Sequence, residues 1–397
     1  YVDDIYLSRQ NANNLSFLDV ERIEVLRGPQ GTLFGRNTTG GAISVIMRDP
    51  GDTIGGYLEA GLGRFDRVLV RGSIDLPLAE NIAVKVSGFW DNDDGYVRNT
   101  SNTQRLNDND GWGARLGVKA DFGTVTWRGS YARLVSNGEN LLNFTCDPRN
   151  PANCKGRFAT TGLTEGGRLA NSQFAPLVIT GRKANYGLGN RTTTDLVTSN
   201  LGVELGEDLT LNLITGYVNL GQQFALDFFD GRGGPGIANA GVPPVAGFSR
   251  GGFTITNDGR HKQFTQEIKL SGELADGMID FVGGLFYINE KNTTDFADIF
   301  SISPTFALLL ADRTLRNKTE AWAGYVQADI NLSDAFTITA GIRYTDEEKT
   351  FNVADNRASC NDGTVEATCL VNANMVLAPP VVPATLRIPT TQRAKVW

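Results

Sequence analysis

The feature that most constrains this chain is an alternation of apolar and polar residues at every second position from about residue 56 onward. Between Trp322 and Leu332, for example, the even-numbered residues are mostly apolar and the odd-numbered ones mostly polar. A period of two residues is that of a β-strand, whereas a helix repeats every 3.6 residues. About eleven such segments, each roughly 9 to 12 residues long, predict strands with one apolar and one polar face.

The connections between the segments alternate in length. Tight turns are expected at residues 76–81, 122–123, 206–208, 275–277 and 333–335, and long polar loops at 92–111, 135–190, 222–262, 293–317 and 353–393. Strand alternation alone would also suit a soluble β-sandwich. Short turns at one edge and long loops at the other are instead typical of outer-membrane barrels, with the turns in the periplasm. The sequence therefore predicts an all-β membrane barrel.

Aromatic residues recur near the ends of these segments, which suits the girdles that barrels carry at the two membrane interfaces. Strand propensity, which also favours aromatic residues, is the alternative explanation. The residues are Trp90, Phe122, Trp127, Tyr217, Trp322, Phe336 and Tyr344.

Composition narrows the function classes. The net charge of −7 argues against nucleic acid as a partner, and a single histidine leaves almost no material for a histidine-based catalytic or metal site. We therefore expect no enzyme activity, no cofactor and no metal site. The four cysteines form two local pairs, Cys146 with Cys154 and Cys360 with Cys369, which predict small disulfide loops in an oxidising compartment. Free thiols in a cytosolic protein are the alternative.

The first fifty residues follow a different pattern. A short, half-charged strand is predicted at Val20–Leu26, followed by a glycine-dense run of turn residues, and Asp49-Pro50-Gly51-Asp52 suggests a domain boundary. The run lacks the G-x-x-x-x-G-K-[ST] ending of a phosphate loop. We expect one unit at 1–50 and the barrel at 51–397.

The stretch from Val20 to Ile43 resembles the end of the plug domain of TonB-dependent outer-membrane receptors. Tyr1–Tyr6 is similar to the preceding plug strand, and the runs at 94–99, 264–270 and 340–344 are similar to early and middle barrel strands of that family. The residues of the plug motif are Arg27, Gly28, Pro29, Gly31, Gly35, Gly40 and Gly41.

The resemblance implies that residues 1–50 are the C-terminal part of an α+β plug and that 51–397 are the N-terminal half of a barrel of 22 antiparallel strands. The chain then reads as part of a longer receptor. It implies an outer-membrane protein that imports a ferric siderophore or similar iron chelate with energy from the inner-membrane TonB complex. Its other partners would be outer-membrane lipid and the imported nutrient. TonB-dependent uptake of carbohydrate, cobalamin or haem is the first alternative function. A passive porin-type channel is a second, less favoured alternative.

The same resemblance implies how the plug is held. A movable plug should contact the wall through polar, reversible interactions. In the family, an arginine of the plug engages carboxylates of the wall, and the resemblance therefore suggests a pair of Arg27 with Glu267. Lumen-facing positions expected from the alternation are Lys85, Arg115, Lys119, Arg128, Glu267, Lys269, Asp329 and Arg343.

Ligand contacts are expected from loops outside the cell. The candidates in this chain are Phe224, Asp227, Phe228, Phe229 and Asp230, together with the loops that hold the cysteine pairs.

Overall fold

The frame of the protein, seen in a computed structural model, is a single curved sheet of twelve antiparallel strands. The structure describes residues 1–9, 19–99, 105–138, 159–160, 189–227, 252–303, 306–333, 335–355, 370–372, 375–376 and 390–396. Among these residues, no helix is long and apolar enough to cross a membrane.

The described residues form nineteen strands. In chain order they are β1 (Val20–Arg27), β2 (Gly41–Met47), β3 (Gly55–Leu62), β4 (Val68–Ala79), β5 (Ile82–Asp93), β6 (Val97–Asn99), β7 (Arg105–Leu106), β8 (Asn109–Asp121), β9 (Val125–Gly138), β10 (Ala159–Thr160), β11 (Gly189–Glu204), β12 (Leu209–Asp227), β13 (Gly252–Leu274), β14 (Ile279–Ser303), β15 (Phe306–Ser333), β16 (Phe336–Asp355), β17 (Leu370–Asn372), β18 (Met375–Val376) and β19 (Thr390–Val396).

The large sheet, which we call the wall, has the order β3-β4-β5-β8-β9-β11-β12-β13-β14-β15-β16-β19. Each strand pairs with the next wall strand in the chain, so the sheet is an up-and-down meander. Small sheets of β6, β7 and β10 and of β17 and β18 lie outside it. The prediction of an all-β barrel fold is confirmed, and the barrel is open in this chain. The eleven predicted segments correspond to β3 through β16, with β19 as a twelfth strand.

The burial pattern of the wall is the reverse of that of a soluble sheet. Along β8, the polar side chain of Arg115 is buried at 7% exposure, whereas its neighbours Trp112 and Leu116 are 41% and 46% exposed. The same inversion appears in β13, where Thr265 is buried and Ile268 is exposed. Apolar side chains on the outside are stable only against lipid, so the outer face of the wall is a membrane surface.

Four aromatic side chains form a line across the outer face of neighbouring strands, which we call the aromatic row: Phe264, Tyr287, Trp322 and Tyr344. The ring centroids of Phe264 and Tyr287 are 6.4 Å apart, and those of Trp322 and Tyr344 are 5.3 Å apart. Phe336, at the turn end of β16, is eight residues from Tyr344, which is about 27 Å along a strand. That separation is comparable to the apolar band of about 25 Å in such barrels.

The turns lie where the sequence predicts them, but two of the predicted long loops differ from the structure. The chain passes from β4 to β5, β8 to β9, β11 to β12, β13 to β14 and β15 to β16 through short connections. The predicted loop at 293–317 is wrong, because β14 continues to Ser303 and β15 begins at Phe306. The loop predicted at 222–262 is also shorter, since β12 ends at Asp227 and β13 begins at Gly252. Backbone pairing continues beyond the lipid, where side chains no longer need to alternate.

Residues 1–9 and 19–50, which we call the plug segment, lie against the concave face of the wall. The strands β1 and β2 form an antiparallel hairpin, and Val2 adds a parallel bridge to Val45. Gly41 has φ of 142°, and a Cβ there would lie 2.3 Å from the carbonyl oxygen of Leu26. The strand predicted at 20–26 is therefore confirmed by β1. The predicted domain boundary at residue 50 stays a prediction, and it falls between the end of β2 and the start of β3.

An arginine introduced on the outer face of the wall should destabilise the receptor more than one introduced on the lumen face. Ile268 is 43% exposed on the outer face of β13, about midway between Phe264 of the aromatic row and the turn end at Leu274, whereas Asn200 of β11 lines a cleft of about 400 Å³ between plug segment and wall. Ile268→Arg should destabilise the full-length receptor in lipid vesicles by about 2–4 kcal/mol, and Asn200→Arg should cost much less. Urea unfolding in vesicles measures both. Equal losses in the two variants would contradict this assignment of faces.

Candidate functional site: the contact between plug segment and wall

The centre of this contact is apolar. Val2, Leu7 and Val45 of the plug segment pack with wall side chains of β9, β11 and β12, which are Ala132, Leu196, Val218 and Leu220. Beside this cluster, Ile5 inserts where the wall has no side chain: a Cβ added at Gly216 would lie 2.5 Å from Ile5 Cγ2. The expectation of a purely polar contact is therefore wrong, because the N-terminal run 1–7 carries an apolar face that needs burial.

Toward β4 and β5, a buried ion pair anchors the plug segment. The Lys85 ammonium lies 3.1 Å from the Asp19 carboxylate and 3.4 Å from that of Asp75. Ser87 donates a hydrogen bond to Asp19 at 3.1 Å. Lys85 is 2% exposed and Asp19 is 6% exposed, so each charge depends on the other for compensation. Removing one partner of such a pair leaves an uncompensated buried charge, which is strongly destabilising.

Closer to the turns, two more pairs join residues 49–52, at and just after the end of the plug segment, to the wall. The Arg128 guanidinium contacts Asp49 at 2.6 Å, and the Lys119 ammonium contacts Asp52 at 3.2 Å. Both pairs are partly open to solvent. Together with Lys85, these contacts confirm that Lys119 and Arg128 point into the lumen, as the alternation predicts.

On the opposite flank, Arg36 connects the plug segment to β14 and β16. Its guanidinium lies 2.8 Å from Glu290 and 2.5 Å from Glu347, and it stacks over the Tyr6 ring at 5.5 Å. Burial alone would lower the pKa of Arg36, but the two carboxylates raise that pKa above its ordinary value. Arg36 is therefore a fixed cation between two wall carboxylates.

The predicted pair of Arg27 with Glu267 is not formed between these two described residues. Arg27 ends β1 opposite Gly41 and is exposed, whereas Glu267 accepts a hydrogen bond from the Tyr325 hydroxyl. The plug arginine that engages wall carboxylates is Arg36, nine residues further on. The reason is that the turn after β1, and not β1 itself, contacts β14 and β16 through Thr32, Gly35 and Arg36.

Gly35, next to Arg36, lets the turn approach the wall closely. It has φ of 76°, and a Cβ there would lie 2.9 Å from the Arg343 guanidinium. That guanidinium lies over the rings of Phe286 and Tyr325 and donates to the carbonyl of Thr32 at 3.4 Å. Of the predicted motif glycines, Gly28 and Gly41 also have positive φ, so three of the five carry a backbone role.

Asp3 is a carboxyl group of the plug segment whose pKa is raised where the segment packs against the wall. Burial raises its pKa to about 6, while the backbone amide of Met47 and the Arg115 guanidinium favour the charged form. Met47 donates to Asp3 Oδ1 at 2.9 Å, and Arg115 lies 3.7 Å from Oδ2. The carboxyl therefore changes charge near pH 6 at the point where the plug segment meets β8.

A cavity of about 480 Å³ opens above Arg36, between the plug segment and the parts of β14, β15 and β16 just on the loop side of the aromatic row. The side chains of Arg9, Arg36 and Lys349 contribute positive charge, and Glu290 contributes negative charge. Tyr6 and Phe351 add aromatic surface, and the cavity is lined by Tyr6, Ser8, Arg9, Arg36, Asn37, Glu290, Asn317, Lys318, Thr319, Lys349, Thr350 and Phe351. In the described part of the chain, no three His, Cys, Asp or Glu residues cluster as metal ligands do.

The two predicted ligand residues that the structure describes, Phe224 and Asp227, do not line this cavity. Phe224 is half-buried in β12, opposite Asn190 and Asn257, and Asp227 is the last residue of that strand. Phe228, Phe229 and Asp230 lie outside the described residues, as do Cys146, Cys154, Cys360 and Cys369. The ligand contacts and the two disulfides therefore stay predictions.

Sequence reasoning missed the polar contact made by His261. This buried side chain lies on the lumen face of β13, where Nε2 is 3.1 Å from Ser8 Oγ of the plug segment. Its neighbour Gln263 accepts from the Ser8 amide at 3.2 Å and donates to the Tyr6 carbonyl. The signal was present in the alternation, because His261 and Gln263 have the same parity as Glu267.

Comparison with known proteins assigns the family. The family model "TonB-dependent Receptor Plug Domain" matches residues 1–42, and "TonB dependent receptor-like, beta-barrel" matches residues 147–367, more than half of the chain. The chain belongs to the TonB-dependent receptors.

Similarity to individual receptors agrees with this family assignment. The pesticin receptor of Yersinia enterocolitica is 34% identical over 83 residues, which are 21% of this chain and 12% of that protein. The ferric yersiniabactin uptake receptor FyuA from Yersinia pestis superposes with a TM-score of 0.67 at 18% identity, over 100% of this chain and 50% of that one. The ferric-catecholate import receptor Fiu from E. coli K12 gives 0.64 at 16% identity, over 100% and 53%. The chain thus spans about half the length of these solved structures.

Two expectations follow from the family. TonB-dependent receptors are transporters and receptors rather than enzymes, and they are outer-membrane proteins. The family assignment therefore confirms two predictions from the sequence, that the protein is not an enzyme and that it is located in the outer membrane. The concave contact described above is therefore that between a plug and its barrel wall.

Mutation can distinguish the contributions of Arg36 and Arg27 to the docking of the plug on the wall. In the full-length receptor, Arg36→Ala leaves Glu290 without its ion partner and Glu347 with Lys349 alone, and it should weaken plug docking by about 1–3 kcal/mol. Arg27→Ala removes an exposed guanidinium and should change docking by less than about 0.5 kcal/mol. Hydrogen exchange of the Phe34 and Gly35 amides, which donate to Gln30 and Gly31, reports the difference. The assignment fails if Arg27→Ala accelerates exchange as much as Arg36→Ala.

Plug docking at Asp3 should weaken as pH rises. Because the pKa is raised from 3.8 to about 6, the stabilisation is complete below pH 3.8 and is lost as pH passes through 6, at most about 3 kcal/mol. Asp3→Asn keeps the acceptor for the Met47 amide and tolerates φ of 45°. Exchange of the Met47 amide, corrected for intrinsic rates between pH 4.5 and 7.5, should show increased opening in the native receptor and a flat profile in Asp3→Asn. A flat profile in both would refute the shift.

Proposed function

We propose that the receptor to which this chain belongs imports a negatively charged metal chelate, of the ferric siderophore type, across the outer membrane. The observation that carries the proposal is the cavity above Arg36. It lies on the loop side of the wall, which faces outside the cell when the turns are periplasmic. It is also bounded directly by the plug segment, so a bound ligand touches the element that closes the lumen.

The charges of the cavity favour an anion. Arg36 and Lys349 are each held by Glu347, and Arg36 also by Glu290, so these four groups are balanced. Arg9 lines the same cavity and has no ion pair with any described residue. Among the described residues that line the cavity, Arg9 is therefore the positive charge left without an ion partner. An unpaired guanidinium binds carboxylate, catecholate or hydroxamate oxygens with charge-assisted hydrogen bonds.

Aromatic surface makes the cavity suitable for a chelate with an apolar or aromatic frame. Tyr6 and Phe351 lie in the lining beside the cations. The names of several similar proteins point in the same direction, among them the ferric yersiniabactin and ferric-catecholate receptors and the metal-pseudopaline receptor CntO of Pseudomonas aeruginosa. These similarities support a ferric siderophore type of chelate over carbohydrate, cobalamin or haem as the substrate.

The firm attachment of the plug segment to the wall supports energised transport over passive diffusion. Apolar packing at Ile5 and Val2 and ion pairs on both flanks hold the plug segment in place. A path for a chelate then requires work on the plug. We propose that the inner-membrane TonB complex supplies this work, as the family name implies, and that Arg27 and the other plug-motif residues belong to the part that moves.

The full-length receptor tests the proposal. Cells that produce it should accumulate labelled ferric siderophores only when TonB and the proton-motive force are intact, and should not accumulate cobalamin, haem or oligosaccharides. Arg9→Gln should weaken binding of the accumulated chelate by about tenfold or more, because it removes a charge-assisted hydrogen bond. The matched control is Arg22→Gln, an exposed arginine paired with Glu21 and Glu24 outside the cavity.

Three results would overturn it. Uptake of cobalamin, haem or an oligosaccharide instead of a ferric siderophore would replace the substrate class, and uptake without TonB would replace active transport by diffusion. An equal loss of affinity in Arg9→Gln and Arg22→Gln would remove the cavity as the binding site.

A further inference from the structure

A second, smaller cavity lies between the plug segment and the wall, and we call it the inner cavity. Its volume is about 160 Å³. Tyr6 lines both the inner cavity and the cavity above Arg36. The wall residues Glu267 and Arg343, which line the inner cavity, lie on the turn side of the aromatic row. The two cavities are therefore neighbours at different depths in the lumen, with the Tyr6 side chain between them.

The inner cavity has the size and the lining for one aromatic ring. Tyr1, Tyr6, Phe34, Phe286 and Tyr325 all line it. The ring of Tyr1 packs edge-on against Phe34 with centroids 5.0 Å apart, and its centroid lies 5.4 Å from that of Tyr6. An apolar cavity of about 150 Å³ holds one benzene ring, whereas pockets for drug-sized ligands begin at about 300 Å³. The inner cavity therefore accepts a monocyclic compound and is too small for a whole chelate.

Arg343 brings a positive charge with unused hydrogen-bonding capacity to this cavity. Its guanidinium lies over the rings of Phe286 and Tyr325, at 5.7 and 5.3 Å from their centroids. Nε donates to the Thr345 hydroxyl at 3.2 Å, and Nη1 donates to the Thr32 carbonyl at 3.4 Å. No carboxylate oxygen of a described residue lies within 4.0 Å of this guanidinium, and none of these residues accepts from Nη2. A carboxylate in the cavity is the natural acceptor for Nη2.

Glu267 contributes a hydrogen-bond acceptor to the same cavity. The Tyr325 hydroxyl donates to its Oε1, whereas no residue in the described part of the chain donates to its Oε2. The other two charges of the lining, Lys269 and Asp4, lie 3.9 Å apart and offset each other. One guanidinium and one carboxylate oxygen are thus left to bind a ligand. A compound that satisfies both carries an acidic group and, at another position of the ring, a hydrogen-bond donor.

We propose that the inner cavity is a binding site for a hydroxylated aromatic acid of the size of dihydroxybenzoate. The ring packs among the aromatic side chains, the carboxylate accepts hydrogen bonds from Arg343, and a ring hydroxyl donates to Glu267. An aliphatic acid lacks the ring contacts, and an uncharged phenol lacks the ion pair with Arg343. The combination of a ring, an acid and a hydroxyl is therefore what the cavity selects.

The use of this site in transport rests on the proposed function. Tyr6 separates the two cavities, and its ring lies under the Arg36 guanidinium at 5.5 Å. Work on the plug that displaces Tyr6 joins the two cavities. An aromatic acid unit of a chelate that leaves the cavity above Arg36 then meets Arg343 as the next cation on the way to the periplasm.

Calorimetric titration of the purified full-length receptor with 2,3-dihydroxybenzoate tests the site. The native receptor should bind the acid with a dissociation constant below about 1 mM. Arg343→Gln should weaken binding by about tenfold or more, because it removes the charge-assisted hydrogen bonds. Val282 also lines the inner cavity, and Val282→Phe should abolish binding by filling the space with a ring while both charges stay in place. The amide of the same acid, which has no carboxylate, should bind the native receptor about tenfold more weakly than the acid does.

The matched control removes a wall arginine on the outer face. Arg133→Gln separates an exposed guanidinium from Asp195 and should leave the affinity for dihydroxybenzoate within about twofold of the native value. Hydrogen exchange of the Phe34 and Gly35 amides shows whether the plug stays docked in each variant. The comparison of acid with amide uses the native receptor alone, so it holds even where a variant loosens the plug.

Several outcomes would overturn the proposal. Equal affinity of the native receptor and Val282→Phe would place the acid outside the inner cavity, and weakening by Arg9→Gln alone would place it in the cavity above Arg36. Binding of inorganic phosphate as tight as that of the acid would make Arg343 a site for any small anion. Absence of binding would remove the site altogether. The titration needs neither TonB nor uptake, so a failure of chelate import in cells is a separate result that counts against the proposed function alone.

Discussion

The pairing of every backbone amide and carbonyl within the lipid layer is the constraint on which the rest of this structure depends. An unpaired group in hydrocarbon costs several kcal/mol, so each wall strand must keep its register with both neighbours over the whole apolar band. The meander from β3 to β16 meets this requirement with short turns at one edge. Once the register is fixed, a period of two sends every second side chain to lipid and every other one to the lumen.

That division explains why the charged groups of the wall gather inside. Lys85, Arg115, Arg128 and Glu347 have no place on a lipid face, and on the lumen face they meet the plug segment. A plug that touches so many charges must supply matching ones, which Asp19, Asp3, Asp49 and Arg36 do. The contact is thus a consequence of the membrane as much as of the plug itself.

Most of the wall could be predicted from sequence because alternation is a local property. The turns at 275–277 and 333–335 and the lumen positions of Lys85 and Arg128 need only the period of two. The loop at 293–317 could not be predicted, because strand pairing outside the membrane leaves no hydrophobic pattern. The choice of Arg36 over Arg27 also depends on where the turn after β1 meets a wall that is 250 residues distant in sequence. Gly216 is a further case: only the three-dimensional contact with Ile5 shows why a side chain is missing there.

The apolar patch formed by Val2, Leu7 and Val45 has charged contacts on either side of it, and the two kinds of contact respond to different conditions. Hydrophobic contacts weaken on cooling, whereas partly exposed ion pairs such as Arg128 with Asp49 weaken when ionic strength rises. The enclosed pair of Lys85 and Asp19 is screened far less. Cooling therefore weakens the apolar centre of the contact between plug and wall, whereas high ionic strength weakens the exposed ion pairs at its edges. The part of the contact that separates first depends on temperature and salt.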